Sequence, residues 1–231
     1  MAVEIIRAKP VAPSKFLVIG EPFSGKTTLA AKAPKPVFIS TDGNSAKQGL
    51  DTIRVKTVQD VRDAMQLVAG TKDYKTIVVD TVEGIVDIFG DQVLSEFSNY
   101  RTPEGKPIQA LQDVPFGRAT GVLNKRIQAF AEALMKLPHN VVVLSYTKRV
   151  QDDISGAIKL ESEFKGIRLF TRFMDAQVLC YSDGEKHRVS LIEKREVMAG
   201  KVDYGEIGDF LTAIGWELPK KSTKVGTARK R

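Results

Sequence analysis

A chain of 231 residues, 42% of them hydrophobic, can bury a substantial core, and one α/β domain is the economical count. No apolar run approaches the length needed to span a bilayer, Met1–Arg7 lacks the apolar stretch of a secretory signal, and a single cysteine, Cys180, excludes an intramolecular disulfide and a cysteine-rich metal cluster. The formal charge of +7 is local: residues 220–231 hold six basic and no acidic side chains, which leaves 29 basic against 28 acidic groups elsewhere, so this tail either lies on phosphates or simply keeps the protein soluble. These features suit a protein of the reducing cytoplasm with no membrane partner, and Cys180, inside an apolar run, reads as a small core residue.

Residues 1–13 form an arm ending in Pro10-Val-Ala-Pro13, whose Val3-Glu-Ile-Ile6 can pair with a sheet edge. The domain proper is expected over 14–219, with 220–231 as a flexible basic tail. Phe16 to Ile19 reads as a buried strand. Gly20, Glu21, Pro22, Phe23, Ser24, Gly25, Lys26 and Thr27 then spell G-x-x-x-x-G-K-[ST], with Thr28 opening an alanine-rich helical run to Ala33. Strand before and helix after are the setting of a P-loop: the glycines let successive N–H groups point into one hollow that suits a polyphosphate. Lys26 would reach the β- and γ-phosphates as a mobile charge, and the Thr27 hydroxyl would ligate Mg²⁺. Pro34 and Pro36 break the helix. Val37 to Ile39 is a second strand ending in Ser40-Thr41-Asp42-Gly43-Asn44, and Thr52 to Lys56 a third. Thr57 caps a helix over 58–69 in which Val58, Val61, Met65 and Val68 recur at helical spacing before Gly70.

Tyr74 to Thr81 is a β-branched strand that delivers Asp80 at its C-terminal end. Ligands sit beyond those ends in an open parallel sheet, so Asp80 should face the P-loop and hold a Mg²⁺ water or the Thr27 hydroxyl, the Walker B pattern. Residues 82–97 look helical. Residues 98–121, with Pro103, Gly105, Pro107, Pro115 and Gly117, form an irregular excursion. Leu123, Ile127, Phe130, Leu134 and Leu137 mark the next helix, stopped by Pro138; Val141 to Ser145 is a buried strand with a polar tip at Tyr146 to Arg149. Residues 151–166 carry no firm pattern. Phe170 to Tyr181 and His187 to Glu193 read as a strand pair around an Asp-Gly turn, and a short helix over 207–214 with Trp216 closes the chain. The expected fold is α/β, a mostly parallel sheet with helices on both faces and an antiparallel C-terminal strand pair.

The position of the catalytic carboxylate separates P-loop classes. An AAA-type arrangement places Glu directly after the Walker B Asp, where this chain has Thr81; Glu83, already in the helix, reads as a capping or surface residue. Asp42, at the tip of the strand after the P-loop helix, occupies the place from which RecA-type ATPases orient water. On these residues the layout from 14 to 217 resembles the RecA family, most closely phage-encoded RecA-like ATPases associated with single-strand annealing and recombination. Lys35 to Asp42 resembles the strand ending in the catalytic carboxylate, Ile77 to Thr81 the Walker B strand, and Val141 to Ser145 the strand ending in the γ-phosphate sensor. Asp42 is one methylene shorter than the family's usual glutamate, and Ser145-Tyr146 replaces an Asn-Gln pair. Val189 to Arg195 is similar to the strand whose basic residues, here Lys194 and Arg195, reach the ATP of the next subunit.

The resemblance implies ATP and Mg²⁺ as cofactors, assembly with further copies into a ring or filament, and single-stranded DNA and a single-strand-binding protein as partners. Hydrolysis would be DNA-stimulated, and two loops would hold DNA. These are 113–121, with Phe116 and Arg118, and 149–166, with Arg149, Lys159, Phe164 and Lys165, an aromatic ring and one or more cations in each as sequence-tolerant strand binding requires. Two alternatives stay open: a P-loop small-molecule kinase, with Arg101 and Arg118 on a lid over 98–121, and a nucleotide-gated scaffold with little hydrolysis.

Overall fold

The computed structural model describes residues 11–151, 158–164, 166–196 and 202–218, with the backbone alone described at 149–151 and 158–161; the pairing expected of Val3 to Ile6 and the basic tail lie outside the described residues. Continuous β-branched runs are stable when both faces of a parallel sheet are covered, and that is how they are used here. β1 (Lys15–Gly20), β2 (Pro36–Ser40), β3 (Thr52–Arg54), β4 (Thr76–Asp80), β5 (Asn140–Gln151), β7 (Ala176–Ser182) and β8 (His187–Lys194) lie in the order β3-β2-β4-β5-β1-β7-β8. All neighbours in this order are parallel except β7 and β8, the expected antiparallel pair.

Alternate residues of the same strands fill two cores. Leu17, Ile19, Ile77, Val79, Val141 and Val143 pack under α3 (Val58–Gly70), α4 (Val82–Glu96) and α5 (Arg118–Met135). Phe16, Val18, Phe38, Val78, Val142 and Leu144 pack against α1 (Lys26–Ala30), α7 (Ile207–Ala213) and Trp216. Helix α3 starts as its sequence dictates: the Thr57 hydroxyl accepts the Asp60 N–H at 3.1 Å, and Asp60 accepts the Thr57 N–H at 2.9 Å. The Lys56 and Thr57 N–H groups, both donating to the Asp60 carboxylate, hold it below its ordinary range.

Several elements differ from the sequence pattern. Helix α1 ends at Ala30, not Ala33, because Pro34 and Pro36 follow and Lys32 and Ala33 N–H groups turn back to Leu29 and Ala30 in tighter bonds. Helix α5 begins at Arg118, inside the expected irregular stretch, after Gly117 at φ 64°. The stretch after 151 contains a strand, β6 (Ile158–Ser162), because β5 runs past the sheet and pairs there, Thr147 opposite Ser162 and Gln151 opposite Ile158. Five alternating residues carry too little periodicity to announce such a strand. The first part of the expected strand from Phe170 is instead a helical turn, α6 (Arg168–Thr171), since Phe170 is buried against Phe130 and Phe164 in the helical layer rather than on the sheet. A further four-residue helix, α2 (Asn44–Lys47), follows β2.

Candidate nucleotide site

The C-terminal ends of the parallel strands converge on one edge. Gly20 lies between Tyr146 of β5 and Cys180 of β7, and Ser40 of β2 lies beside Asp80 of β4. Close packing at this edge fixes Gly20: a Cβ there would meet the Cys180 carbonyl oxygen at 2.3 Å. From Gly20 the chain turns through Phe23, at φ 61° and 96% exposed, to Gly25, at φ 89°, which starts α1. The first intrahelical bond is Leu29 N–H to Gly25 O, so the amides of Lys26, Thr27 and Thr28 precede the helix's own ladder.

Around this turn is an open cavity of about 790 Å³, bordered by Pro22 to Thr28, Asp42, Asn44, Asp80, Thr81, Tyr146 and His187. That volume is in the range of small-molecule sites. The structure therefore brings together the expected P-loop and both expected carboxylates. Thr27 Oγ1 donates to Asp80 Oδ2 at 3.1 Å. Lys26 Nζ donates to the Gly20 and Glu21 carbonyls, each at 2.9 Å, and stands 4.4 Å from the centre of the Tyr146 ring. Asp42 accepts from Ser40 Oγ at 3.0 Å and from Asn44 N at 2.9 Å, which holds its carboxylate at the start of α2. Ser24 Oγ is buried without a hydrogen-bond partner.

The electrostatics are those of a site short of positive charge. Burial pushes the Asp80 carboxyl up to about 6, against the Thr27 hydroxyl bond and the Lys26 ammonium that favour ionisation, while Asp42 and Glu83 add to the rise. Burial lowers Lys26, and the nearby carboxylates of Asp80 and Glu83 oppose that. Burial likewise raises Cys180 to about 11, so it is a protonated core thiol, as its apolar neighbours imply. An oxygen-ligated divalent cation fits this donor set: a hydroxyl and a carboxylate already paired, next to a lysine and an orphaned hydroxyl suited to phosphate. Thr27 and Asp80 would hold Mg²⁺.

Other expected residues lie elsewhere. Ser145 does not border the cavity; it is fully buried, with its hydroxyl 2.6 Å from Glu83 Oε1, and Tyr146 takes the place at the edge. Lys194 and Arg195 lie at the opposite edge of the sheet from their own P-loop, since Lys194 pairs with Ala176, the neighbour of Phe16. The Lys194 ammonium is 5.7 Å from the Trp216 ring centre, and Arg195 donates to the Arg172 carbonyl at 2.6 Å. Phe116, 98% exposed at φ 58°, and exposed Arg118 stand at the N-terminus of α5. Because α5 leads directly back into β5, that end lies toward the P-loop edge. Arg149 and Lys159 are on the paired strands of the β5–β6 hairpin, and Lys165 is outside the described residues. Phe164 lies at the margin of the core: its ring is half-buried against Phe170, with centroids 6.3 Å apart.

Two residues near the site were not expected there. His187 opens β8 beyond the turn, and its ring would be 3.2 Å from a Cβ at Gly25; only the sheet order places it over the P-loop. Glu83, read above as a capping or surface residue, instead turns inward: Oε1 accepts from Ser145 Oγ and from Tyr146 N at 3.0 Å, and burial raises its pKa. Its place three residues after Asp80, on the first turn of α4, is the only hint the sequence contained.

Comparison with known proteins agrees with this geometry. A family model described as an AAA domain matches residues 12–201, most of the chain. No curated protein matches the sequence. Among the described residues, no helix is long and apolar enough to cross a membrane.

Proposed function

The chain belongs to the AAA-domain family of P-loop ATPase-type proteins, and from that premise we propose that it is a RecA-like ATPase that binds single-stranded DNA and promotes annealing or strand exchange, of the kind found in phage recombination. The observation that carries the nucleotide part is the Thr27–Asp80 hydrogen bond at 3.1 Å inside the P-loop cavity, with Lys26 beside it and Asp42 on the same rim. A triphosphate entering the cavity draws the Lys26 ammonium from the Gly20 and Glu21 carbonyls, because a charge-assisted bond to phosphate is stronger than one to a neutral carbonyl. The amides at the head of α1 hold the same phosphates. Asp42 orients the attacking water and takes its proton as the bond between the γ-phosphorus and the bridging oxygen breaks. Mg²⁺, when bound, neutralises charge on the phosphoryl oxygens.

The DNA part is supported by placement. Exposed Phe116 and Arg118 and the hairpin bearing Arg149 and Lys159 stand at the nucleotide edge, where a ring can stack on a base and cations can follow phosphates. Lys194 and Arg195, distant from their own P-loop, act on the nucleotide of an adjoining copy, so that hydrolysis depends on assembly. A phosphate-release assay with and without single-stranded DNA tests the proposal. Stimulation by DNA, lost in Lys26→Ala, supports it; no stimulation together with phosphate transfer to a metabolite refutes it. The scaffold reading draws on the Asp42 carboxylate being engaged by Ser40 and Asn44, and under that reading Asp42→Ala leaves turnover at the wild-type level.

A further inference from the structure

The two strands that deliver the carboxylates of the site finish in step, with Ser40 of β2 opposite Asp80 of β4. From there one segment runs through Thr41 to Asp42, and the other turns through Thr81 into α4, which begins at Val82. The tip of β2 must therefore pass the first turn of α4. It passes at Gly84. A Cβ at that position would stand 2.2 Å from Thr41 Oγ1, 2.9 Å from its Cγ2 and 3.0 Å from its Cβ, whereas non-bonded carbon atoms settle about 3.5–4.0 Å apart. Turning Thr41 about χ1 does not clear the clash, because the threonine Cβ moves only with the backbone and is itself too close. Half-buried Thr41 can lie this near α4 only because residue 84 has no side chain.

We infer that Gly84 is a positioning residue for Asp42: by letting Thr41 close onto α4, it sets where the next carboxylate stands on the rim of the phosphate cradle. The inference rests on Asp42 orienting water in an ATPase site, and it adds to that reading what fixes Asp42 in place. An aspartate reaches with a single methylene, so its carboxylate goes where its backbone takes it. The hydrogen bonds of Asp42, from Ser40 Oγ at 3.0 Å, Asn44 N at 2.9 Å and the Asn44 side chain, are made within residues 40–44. The Ser40 hydroxyl also accepts the Gly43 N–H at 3.1 Å. These bonds shape the tip, and the contact of Thr41 with Gly84 seats the shaped tip on the neighbouring helix. Asp42 and Asp80 border the same cavity, and misplacing a catalytic group by about 1 Å can cost roughly a hundredfold in rate.

The test is steady-state phosphate release by the full-length protein, with and without single-stranded DNA, alongside a Mg²⁺ titration and binding of a fluorescent ATP analogue. Gly84→Ala is expected to lower kcat about ten- to a hundredfold, with KM and analogue binding held within about twofold. Half-maximal activity needs the same Mg²⁺ concentration, since Thr27 and Asp80 keep their places. Thr41→Ala in the same chain, which removes the two nearest atoms, returns kcat to within about threefold of the wild type. If Gly84→Ala does not fold, Thr41→Ile replaces it: an ethyl branch in the place of Oγ1 crowds the same contact from the facing side, and the same loss in kcat alone is expected. A wild-type kcat in the crowded variant overturns the inference, as does a loss in Gly84→Ala that Thr41→Ala leaves unchanged. A raised Mg²⁺ requirement also overturns it, because the effect then lies at Asp80. Asp42→Ala in the same assay separates this inference from the reading beneath it. Wild-type turnover in Asp42→Ala, or none in the wild type itself, overturns the ATPase reading at Asp42 and the inference with it; loss of turnover in Asp42→Ala beside full turnover in Gly84→Ala overturns the inference alone.

Discussion

Replacing Asp80 with asparagine should make the nucleotide-free protein more stable and inactive at once. Asp80 is 8% exposed, and its carboxyl is pushed from the ordinary 3.8 up to about 6, first by burial. The folded state therefore binds this proton more tightly than the unfolded chain. The cost of ionising the group is absent below about pH 4, grows as pH rises through the window up to about 6, and is fully present at pH 7. At about 1.4 kcal/mol per pH unit the full cost is about 3 kcal/mol. Asparagine keeps the shape and an oxygen for the Thr27 hydroxyl, and it never ionises. At pH 7, Asp80→Asn should gain up to about 3 kcal/mol, which for a chain of this size is a rise in Tm of about 6–12 °C. Urea or thermal unfolding of both proteins at pH 4 and pH 7, without nucleotide or Mg²⁺, measures it. The difference should shrink toward zero at pH 4. Phosphate release should fall by two orders of magnitude or more, since a metal ligand is gone. A variant no more stable than the wild type at pH 7, or a gain that persists unchanged at pH 4, would refute the assignment of a carboxylate whose ionisation is opposed by burial at this position.

Gly84→Ala should destabilise, although alanine is the better helix former by about 1 kcal/mol. A Cβ at 84 would stand 2.2 Å from Thr41 Oγ1, and Thr41→Ala in the same chain should recover most of the loss in Tm. Phe116→Ala should weaken binding of single-stranded DNA by about 1–3 kcal/mol with its salt slope unchanged, whereas Arg118→Ala should reduce that slope by about one unit; fluorescence anisotropy across a salt series separates the two. His187→Ala should raise the KM for ATP severalfold with kcat preserved, because the ring stands over Gly25 but not beside Asp42 or Asp80 in any hydrogen bond; steady-state kinetics decides it. Lys194→Ala with Arg195→Ala should lower turnover roughly a thousandfold, as loss of an arginine finger does, while leaving binding of a fluorescent ATP analogue within twofold.

How much of this was legible in advance varied with how local the cause was. The P-loop, its flanking strand, the Thr57 cap and the α3 stripe were readable because each depends on residues within a few positions: glycines that allow a turn, a threonine and an aspartate that bond each other's amides, a spacing that puts valines on one face. The Thr27–Asp80 pair was readable at one remove, since a parallel sheet delivers the ends of its strands to one edge. The packing of the Phe164 ring against Phe170 was not legible, because composition shows a ring and a cation in a loop, not which way the ring turns. Strand β6 was missed because five residues carry too little periodicity to announce a strand, and its partner is the continuation of β5 beyond the parallel sheet.

The chain's own order of residues determined a phosphate-binding turn, a carboxylate at the end of a buried strand, and the number and kind of the main layers, because bonding and hydrophobic spacing over short range suffice for each. Only the folded arrangement decided that Glu83 turns inward onto Ser145 and Tyr146, that His187 hangs over Gly25, and that Lys194 and Arg195 lie at the far edge of the sheet. Those placements follow from strand order and register. These are set by the burial of whole faces at once and leave no mark on the few residues they bring together.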